Sequence, residues 1–370
     1  MEETRLADVV PVMRQEGLDA VALVPGANFR RIFGKDFHQN ERPLVVLVTK
    51  AGKAVAVVPH LEFASFAKLD FKGEVFPWRD EQGFDAAFMA AGQAIGPLDR
   101  LGVEGQRMRV FEYLALARAF PGANLCDMHR PISQLRVVKR PGEVELLRRA
   151  IRVSEAALEA TLAQVRVGQT ETQIEGILLN ELFAAGAEGL SFAPIVAAGS
   201  NCAQPHAKAR PDYKVQPGDA LLFDFGGTVQ GYCADITRTV FIERVSDEDR
   251  AFYETVLAAN ERGRNAARPG LAAGDLDDLV LKVLETSPYG AFTRHKTGHG
   301  LGLDVHEDPY IMRGNTTPLQ PGMVFTIEPG LYQLGKVGVR IEDDVVVTQD
   351  GVDVLTTFPR DLRIVAAAPR

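Results

Sequence analysis

Four carboxylates and one imidazole in the C-terminal half of the chain could together hold divalent cations. The carboxylates are Asp224 and Asp235 in LLFDFGGTVQGYCADITRT, Glu328 in FTIEPG and Glu342 in VGVRIEDD. The imidazole is His299, in the segment HKTGHGLGLDVHE. That segment holds three of the chain's seven histidines, His295, His299 and His306, set among glycines. With no thiolate, such a set is hard and oxygen-rich, which suits manganese, cobalt or ferrous iron better than a structural zinc. Two such ions sharing carboxylates about 3.5 Å apart hold a water of lowered pKa and polarise a carbonyl, which is hydrolytic chemistry.

Each ligand has a local argument and a plainer alternative. Asp224 and Asp235 lie in apolar, β-forming runs separated by Gly226–Gly231, so the spacing predicts a hairpin with the two carboxylates facing across the ladder. Two buried carboxylates at that distance repel, and one stays protonated unless a cation sits between them. The alternative is that Asp235 caps or pairs with Arg238. The glycines flanking His299 let its backbone approach another layer closely; a lone histidine is otherwise usually a satisfied structural one. Glu328 ends an apolar strand, where burial is costly without a partner. Glu342 shares a strand face with Arg340 by alternation, so a surface ion pair is its plainer reading. The five taken together favour metal.

Other side chains suit substrate. A tetrahedral intermediate needs oxyanion donors and a proton for the leaving nitrogen. His206, in the loop GSNCAQPHAKA, and His306 fit those tasks, with His295 behind them. A substrate carboxylate calls for a guanidinium, Arg313 first and Arg340 second. Phe192 and the Val305 region are candidates for an apolar wall. Asp36 and Arg42, in the charged loop FGKDFHQNERP, are candidate gates; a solvated loop is the simpler reading.

These residues need a frame. Residues 1–135 read as a small α/β domain. It has an amphipathic helix near Arg5–Gln15, strands near Ala20–Val24, Leu44–Val48, Ala54–Val58 and Arg100–Val103, and helices near Asp85–Ala94 and Phe111–Ala119. Residues 136–142, charged and holding Pro141-Gly142, read as a linker. Residues 143–370 read as a second, α+β domain. It opens with helices near Pro141–Val165 and Thr170–Ala185. Strands follow at Ile195–Ala198, Ala220–Phe225, Thr237–Phe241, Met323–Ile327 and Gly338–Val347, with a helical block from Asp247 to Thr286 broken at Pro269-Gly270.

Bulk properties narrow the class. A formal net charge of −8 disfavours nucleic acid as partner. No apolar run is long enough to span a membrane. Cys126, Cys202 and Cys233 are scattered and imply no disulfide framework. The start, MEETRLADVV, lacks the features of a signal peptide, so the cytoplasm is the expected compartment.

The motifs in this order closely resemble those of the pita-bread metallopeptidases, which include methionine aminopeptidase, aminopeptidase P and prolidase. The resemblance covers essentially the whole chain and implies a creatinase-like N-terminal α/β domain followed by a pita-bread catalytic domain, α+β overall. It implies two divalent ions, manganese first, with cobalt, zinc or iron as alternatives. It assigns Asp224 and Asp235 to one metal and His299 and Glu328 to the other, with Asp235 and Glu342 bridging. Glu328 would also act as general acid/base, and His206 and His306 would contact substrate and stabilise the intermediate. Tyr232 and Tyr332 match positions near the pocket. The N-terminal domain argues against methionine aminopeptidase, and HKTGHGLGLDVHE resembles the proline-specific branch. Creatinase works without metal, and the full ligand set here disfavours it. The expectation is a peptidase cutting before proline in Xaa-Pro dipeptides (a prolidase), a homodimer acting on small peptides. Xaa-Pro aminopeptidase activity on longer peptides is the alternative, and a non-catalytic peptide-binding module on the same fold is the competing class.

Overall fold

The computed structural model describes residues 5–366, which fall into two compact units dividing after Arg136. In the first, the apolar runs Ala20–Leu23, Val45–Thr49 and Ala54–Pro59 are strands buried at every position. They are central in a six-stranded sheet. Ala20–Leu23 pairs antiparallel with Val45–Thr49 and parallel with Arg100–Val103. Strands without a polar alternation need cover on both faces. Val9 and Met13 of helix Leu6–Gln15 join Phe29, Phe33 and Phe66 in one cluster; Phe88 of helix Asp85–Ile95 and Leu116 of helix Val110–Ala119 belong to another.

Residues 137–142, expected within a linker, belong to the second unit. Val138 bridges to Met323, and the Lys139 N–H donates to the Gly322 carbonyl. The Lys139 ammonium is buried and pairs with Glu307. Pro141 then begins helix Pro141–Leu162, with Glu143 capping its first turn. The Lys139 charge, which made this stretch look solvated, is neutralised inside the protein.

Two sheets carry the second unit. One has the order Ile364–Val365, Ile236–Ile242, Ala220–Phe225, Ile195–Ala198. The other has the order Glu307–Ile311, Gly298–Gly300, Val324–Ile327, Asp343–Val347, Val352–Val354. Helices Asp247–Ala266 and Ala273–Glu285 bury Phe252, Val256, Leu276 and Val280 in a cluster with Leu222, Phe241, Phe325 and Ile327 from both sheets. Helices Pro141–Leu162 and Glu171–Ala184 bury Leu158, Leu162, Leu178 and Leu182 with Phe223 and Val240.

Two local expectations are corrected. Gly226–Gly231 is not a plain turn. Gly227–Val229 and Tyr232–Cys233 form their own small hairpin, with Gln230 and Gly231 at positive φ. Strand Ala220–Phe225 therefore pairs with Ile236–Ile242 so that Asp224 lies opposite Thr237, not Asp235. The run Gly338–Val347 is two strands in different sheets, Val337–Arg340 and Asp343–Val347, broken at Ile341-Glu342.

Candidate metal centre

The acid cluster forms where strands of these sheets end. Asp235 precedes Thr237 by two residues, so side-chain alternation sets it on the same side as Thr237, diagonal to Asp224. Glu342 sits at the break between two strands, where its side chain accepts from the Thr237 hydroxyl at 2.6 Å. Its N–H donates to the Thr237 carbonyl at 3.1 Å. Glu328 directly follows strand Val324–Ile327. His299 is central in Gly298–Gly300. A Cβ at Gly298 would lie 2.0 Å from the Thr326 carbonyl, and one at Gly300 2.2 Å from that of Asp308. The flanking glycines thus admit the neighbouring strands of the same sheet rather than another layer.

Ligand atoms of Asp224, Asp235 and Glu342 lie within 4.8 Å of one another, and so do those of His299, Glu328 and Glu342. Glu342 is common to both groups. A third group joins Asp235 and His299 to His306. The His299 Nδ1–H donates to the Gly300 carbonyl at 3.1 Å, which leaves the Nε2 lone pair facing Glu328, 3.3 Å away, and Asp235, 3.7 Å away. Fixing the tautomer through the other ring nitrogen is what a metal-bound imidazole requires.

The electrostatics are those of crowded, buried carboxylates, which a divalent cation relieves. Burial, then repulsion from Glu342 and Asp224, holds Asp235 well above the usual carboxylate range. Burial, then Glu328 and Asp224, does the same to Glu342. Burial pushes Glu328 up to about 7 although Arg340 and Lys296 pull against it. Burial and then His306 take His299 down to about 3, so its ring is neutral. Asp224 Oδ1 is buried without a hydrogen-bond partner. Unpaired buried oxygens are rare and costly. A neutral imidazole, crowded carboxylates and an orphaned oxygen fit a hard divalent ion.

Around the cluster, Arg340 is buried rather than in a surface pair with Glu342. Its guanidinium binds the Asp224 carboxylate, the Thr237 hydroxyl at 3.0 Å and the Tyr332 hydroxyl at 2.6 Å. Tyr332 in turn donates to His295 Nε2 at 2.7 Å, while His295 Nδ1–H donates to the Lys296 carbonyl at 2.8 Å. Burial, then the Arg340 charge, takes His295 down to about 4. His306 packs edge-on against His299 with ring centroids 4.0 Å apart. His206 is exposed, yet close enough for its charge to act on His295 and His306. Arg238 does not serve Asp235; it pairs with Asp343 at 2.8 Å. The Asp235 N–H instead donates to Asp344, at 3.2 Å.

Several expected substrate residues are otherwise engaged. Arg313 is half-exposed and committed to Asp278 and Glu285, both at 2.8 Å. With His295 and Lys296 it lines an open cleft of about 470 Å³. The Tyr232 hydroxyl donates to Glu143 at 2.8 Å. Phe192 is only partly buried, and Val305 packs against the cluster of Leu147, Ile236 and Leu301. In the first unit, the Asp36 carboxylate accepts from the N–H groups of Gly26 and Phe37, both at 2.8 Å. The Arg42 Nε and Nη2 grip Asp80. Asp344 and the Arg340–Tyr332–His295 chain were not foreseen as a set; the only signal was adjacency to motif residues.

Comparison with known proteins agrees in extent with this organisation. The model of metallopeptidase family M24 matches residues 145–349, and that of the creatinase/prolidase N-terminal domain matches residues 5–138. The chain is 32% identical to a putative dipeptidase, YkvY, of Bacillus subtilis, over 97% of this chain and 99% of that protein. Its structure is similar to an Xaa-Pro dipeptidase from Bacillus anthracis, with TM-score 0.89 and 30% identity over 97% of this chain and 99% of the other. It is also similar to an X-Pro aminopeptidase from Thermotoga maritima, with TM-score 0.84 and 32% identity over 96% and 100%.

Proposed function

The chain belongs to metallopeptidase family M24, and on that premise we propose that it cleaves Xaa-Pro dipeptides at a two-cation site held by Asp224, Asp235, His299, Glu328 and Glu342. The observation that carries the reading is Glu342, whose carboxylate belongs to both ligand groups. Two cations sharing a ligand need such a residue. The similarity to an Xaa-Pro dipeptidase and a putative dipeptidase supports the substrate class.

Bound divalent ions supply a water acidic enough to attack at neutral pH and polarise the scissile carbonyl. The chain's own residues do the rest. His299 stays neutral and offers Nε2. Arg340 fixes Asp224, with its other donors anchored on Thr237 and Tyr332. Glu328, partly buried at the edge of the cluster, takes a proton and returns it to the departing proline nitrogen. His306, edge-on against His299, and the exposed His206 donate to the oxyanion and hold the substrate. In this reading manganese is the first ion to test, the protein works in the cytoplasm, and it assembles as a homodimer. Among the described residues no helix is long and apolar enough to cross a membrane.

Release of the N-terminal residue from longer Xaa-Pro peptides is the second reading. The likeness to an X-Pro aminopeptidase favours it, as does Arg313, whose donors are already taken by Asp278 and Glu285. Hydrolysis of a matched Xaa-Pro dipeptide and Xaa-Pro-Yaa tripeptide, with manganese and with chelator, tests both. Metal-dependent cleavage of the dipeptide alone supports the dipeptidase. Cleavage of the tripeptide moves the assignment to the aminopeptidase. Near-normal activity of metal-saturated Asp235→Asn or His299→Ala would sink the ligand assignment.

A further inference from the structure

No hydrogen bond holds the His206 ring among the described residues, and the residue is exposed in a turn after the short helix Gly199–Ala203. Its position must therefore come from the backbone that carries it. That backbone leaves strand Ile195–Ala198 and returns at Arg210, and one carboxylate ties both ends. Glu171, fully buried at the first position of helix Glu171–Ala184, accepts from the Ala198 N–H at 2.7 Å and from the Arg210 N–H at 2.6 Å. Between those ends it accepts from Asn201 Nδ2 at 2.9 Å. The Arg210 guanidinium binds Glu171 through Nη2 at 2.7 Å and Nε at 3.1 Å, and Nη2 also donates to the Ala198 carbonyl at 2.8 Å. Asn201 Nδ2 reaches forward to the Lys208 carbonyl at 3.0 Å. The start of the loop is also packed closely, since a Cβ on Gly338 would lie 1.8 Å from the Cys202 carbonyl.

We propose that Glu171 is a positioning residue for His206, acting by clamping both ends of the histidine's loop to one helix start. A buried ion pair is weak evidence of a stability role, because apolar residues of similar volume often serve stability as well or better. What Glu171 supplies and an apolar residue cannot is a set of directed acceptors for the strand end, the loop and its return. This rests on the reading of His206 as a substrate-contacting residue given above.

A double-mutant cycle separates positioning from general support. kcat/KM for an Xaa-Pro dipeptide is measured on metal-loaded wild type, Glu171→Gln, His206→Ala and the double variant, with metal content and melting temperature recorded for each. Glu171→Gln should lower kcat/KM on the order of 10- to 100-fold, the cost of a misplacement near 1 Å, at unchanged metal content. In the His206→Ala background the same change should cost nothing further. If Glu171→Gln does not fold, Arg210→Lys, which keeps the charge and loses the fork, takes its place in the cycle. Wild-type kcat/KM in the clamp variant, or an equal loss with and without His206, overturns the inference. Wild-type activity of His206→Ala also overturns it, by removing what the loop positions. Failure of the peptidase reading looks different, because wild type itself would then be inactive.

Discussion

Removing metal should convert the acid cluster from a binding site into a pH-dependent weakness, and Glu328 gives that weakness a size. Burial pushes its carboxyl from 4.5 up to about 7 in the metal-free protein. A group that binds its proton more tightly when folded stabilises fully below its unfolded pKa, and that stability is lost as pH rises through the folded one. At about 1.4 kcal/mol per pKa unit, Glu328 accounts for about 3 kcal/mol lost between pH 4.5 and neutrality. For a unit of this size that is roughly 6–12 °C in melting temperature. The assay is thermal unfolding of chelated protein at pH 5 and pH 8, beside Glu328→Gln. Gln keeps an acceptor for the Thr326 hydroxyl, 3.4 Å away, and cannot ionise. Asp235 and Glu342 steepen the fall in both proteins, less so in the variant because the Glu328 charge no longer repels them. The wild type should therefore drop further than the variant by at least that interval, and manganese should remove the wild type's drop. Equal drops in the two chelated proteins would refute the reasoning.

Lys139→Met should destabilise by about 3–5 kcal/mol, because it removes the cation paired with the buried Glu307 carboxylate; Lys139→Met/Glu307→Gln should recover most of it, as read by denaturant titration. Tyr332→Phe leaves the buried Arg340 Nη1 without its acceptor, at a cost of about 1–3 kcal/mol; weaker metal binding by calorimetry should accompany the lower melting temperature. Arg238→Met breaks the pair with Asp343 and frees the Glu342 carbonyl. Since Arg360 still holds Asp343 at 2.6 Å, the loss should be about 3 kcal/mol, the low end for a broken buried pair, with reduced metal occupancy by elemental analysis.

Strands and helices were legible wherever hydrophobic periodicity carried the information. Ile195–Ala198, Ala220–Phe225 and Arg100–Val103 form over the ranges their residues suggest. Register was not legible at Asp224 and Asp235. Glycine-rich chain between two strands reads as a turn, and nothing local reveals that Gly227–Val229 and Tyr232–Cys233 would pair with each other. The break at Glu342 was hidden because Val339-Arg340-Ile341 continues the β pattern without punctuation; what ends the strand is the draw of Thr237 from another sheet. Arg313 looked free because its acids, Asp278 and Glu285, lie on a helix distant in sequence. Glu171 and Arg210 escaped notice for the same reason. Long-range polar partners leave no periodic trace, whereas the four carboxylates and the imidazole of the cluster stood out through several motifs at once.

The Lys139–Glu307 pair has a consequence for how such a protein can be taken apart or recombined. The seam between its modules looks, by composition, as though any cut from 136 to 142 would do. A break just before Pro141 would keep every helix and strand of the catalytic module from Pro141 onward, yet take the Lys139 ammonium away from buried Glu307, one residue from His306. A shuffled gene joined there would encode a folded-looking catalyst with a misplaced histidine. Exchange of the N-terminal module should succeed only when the donor sequence ends before Val137.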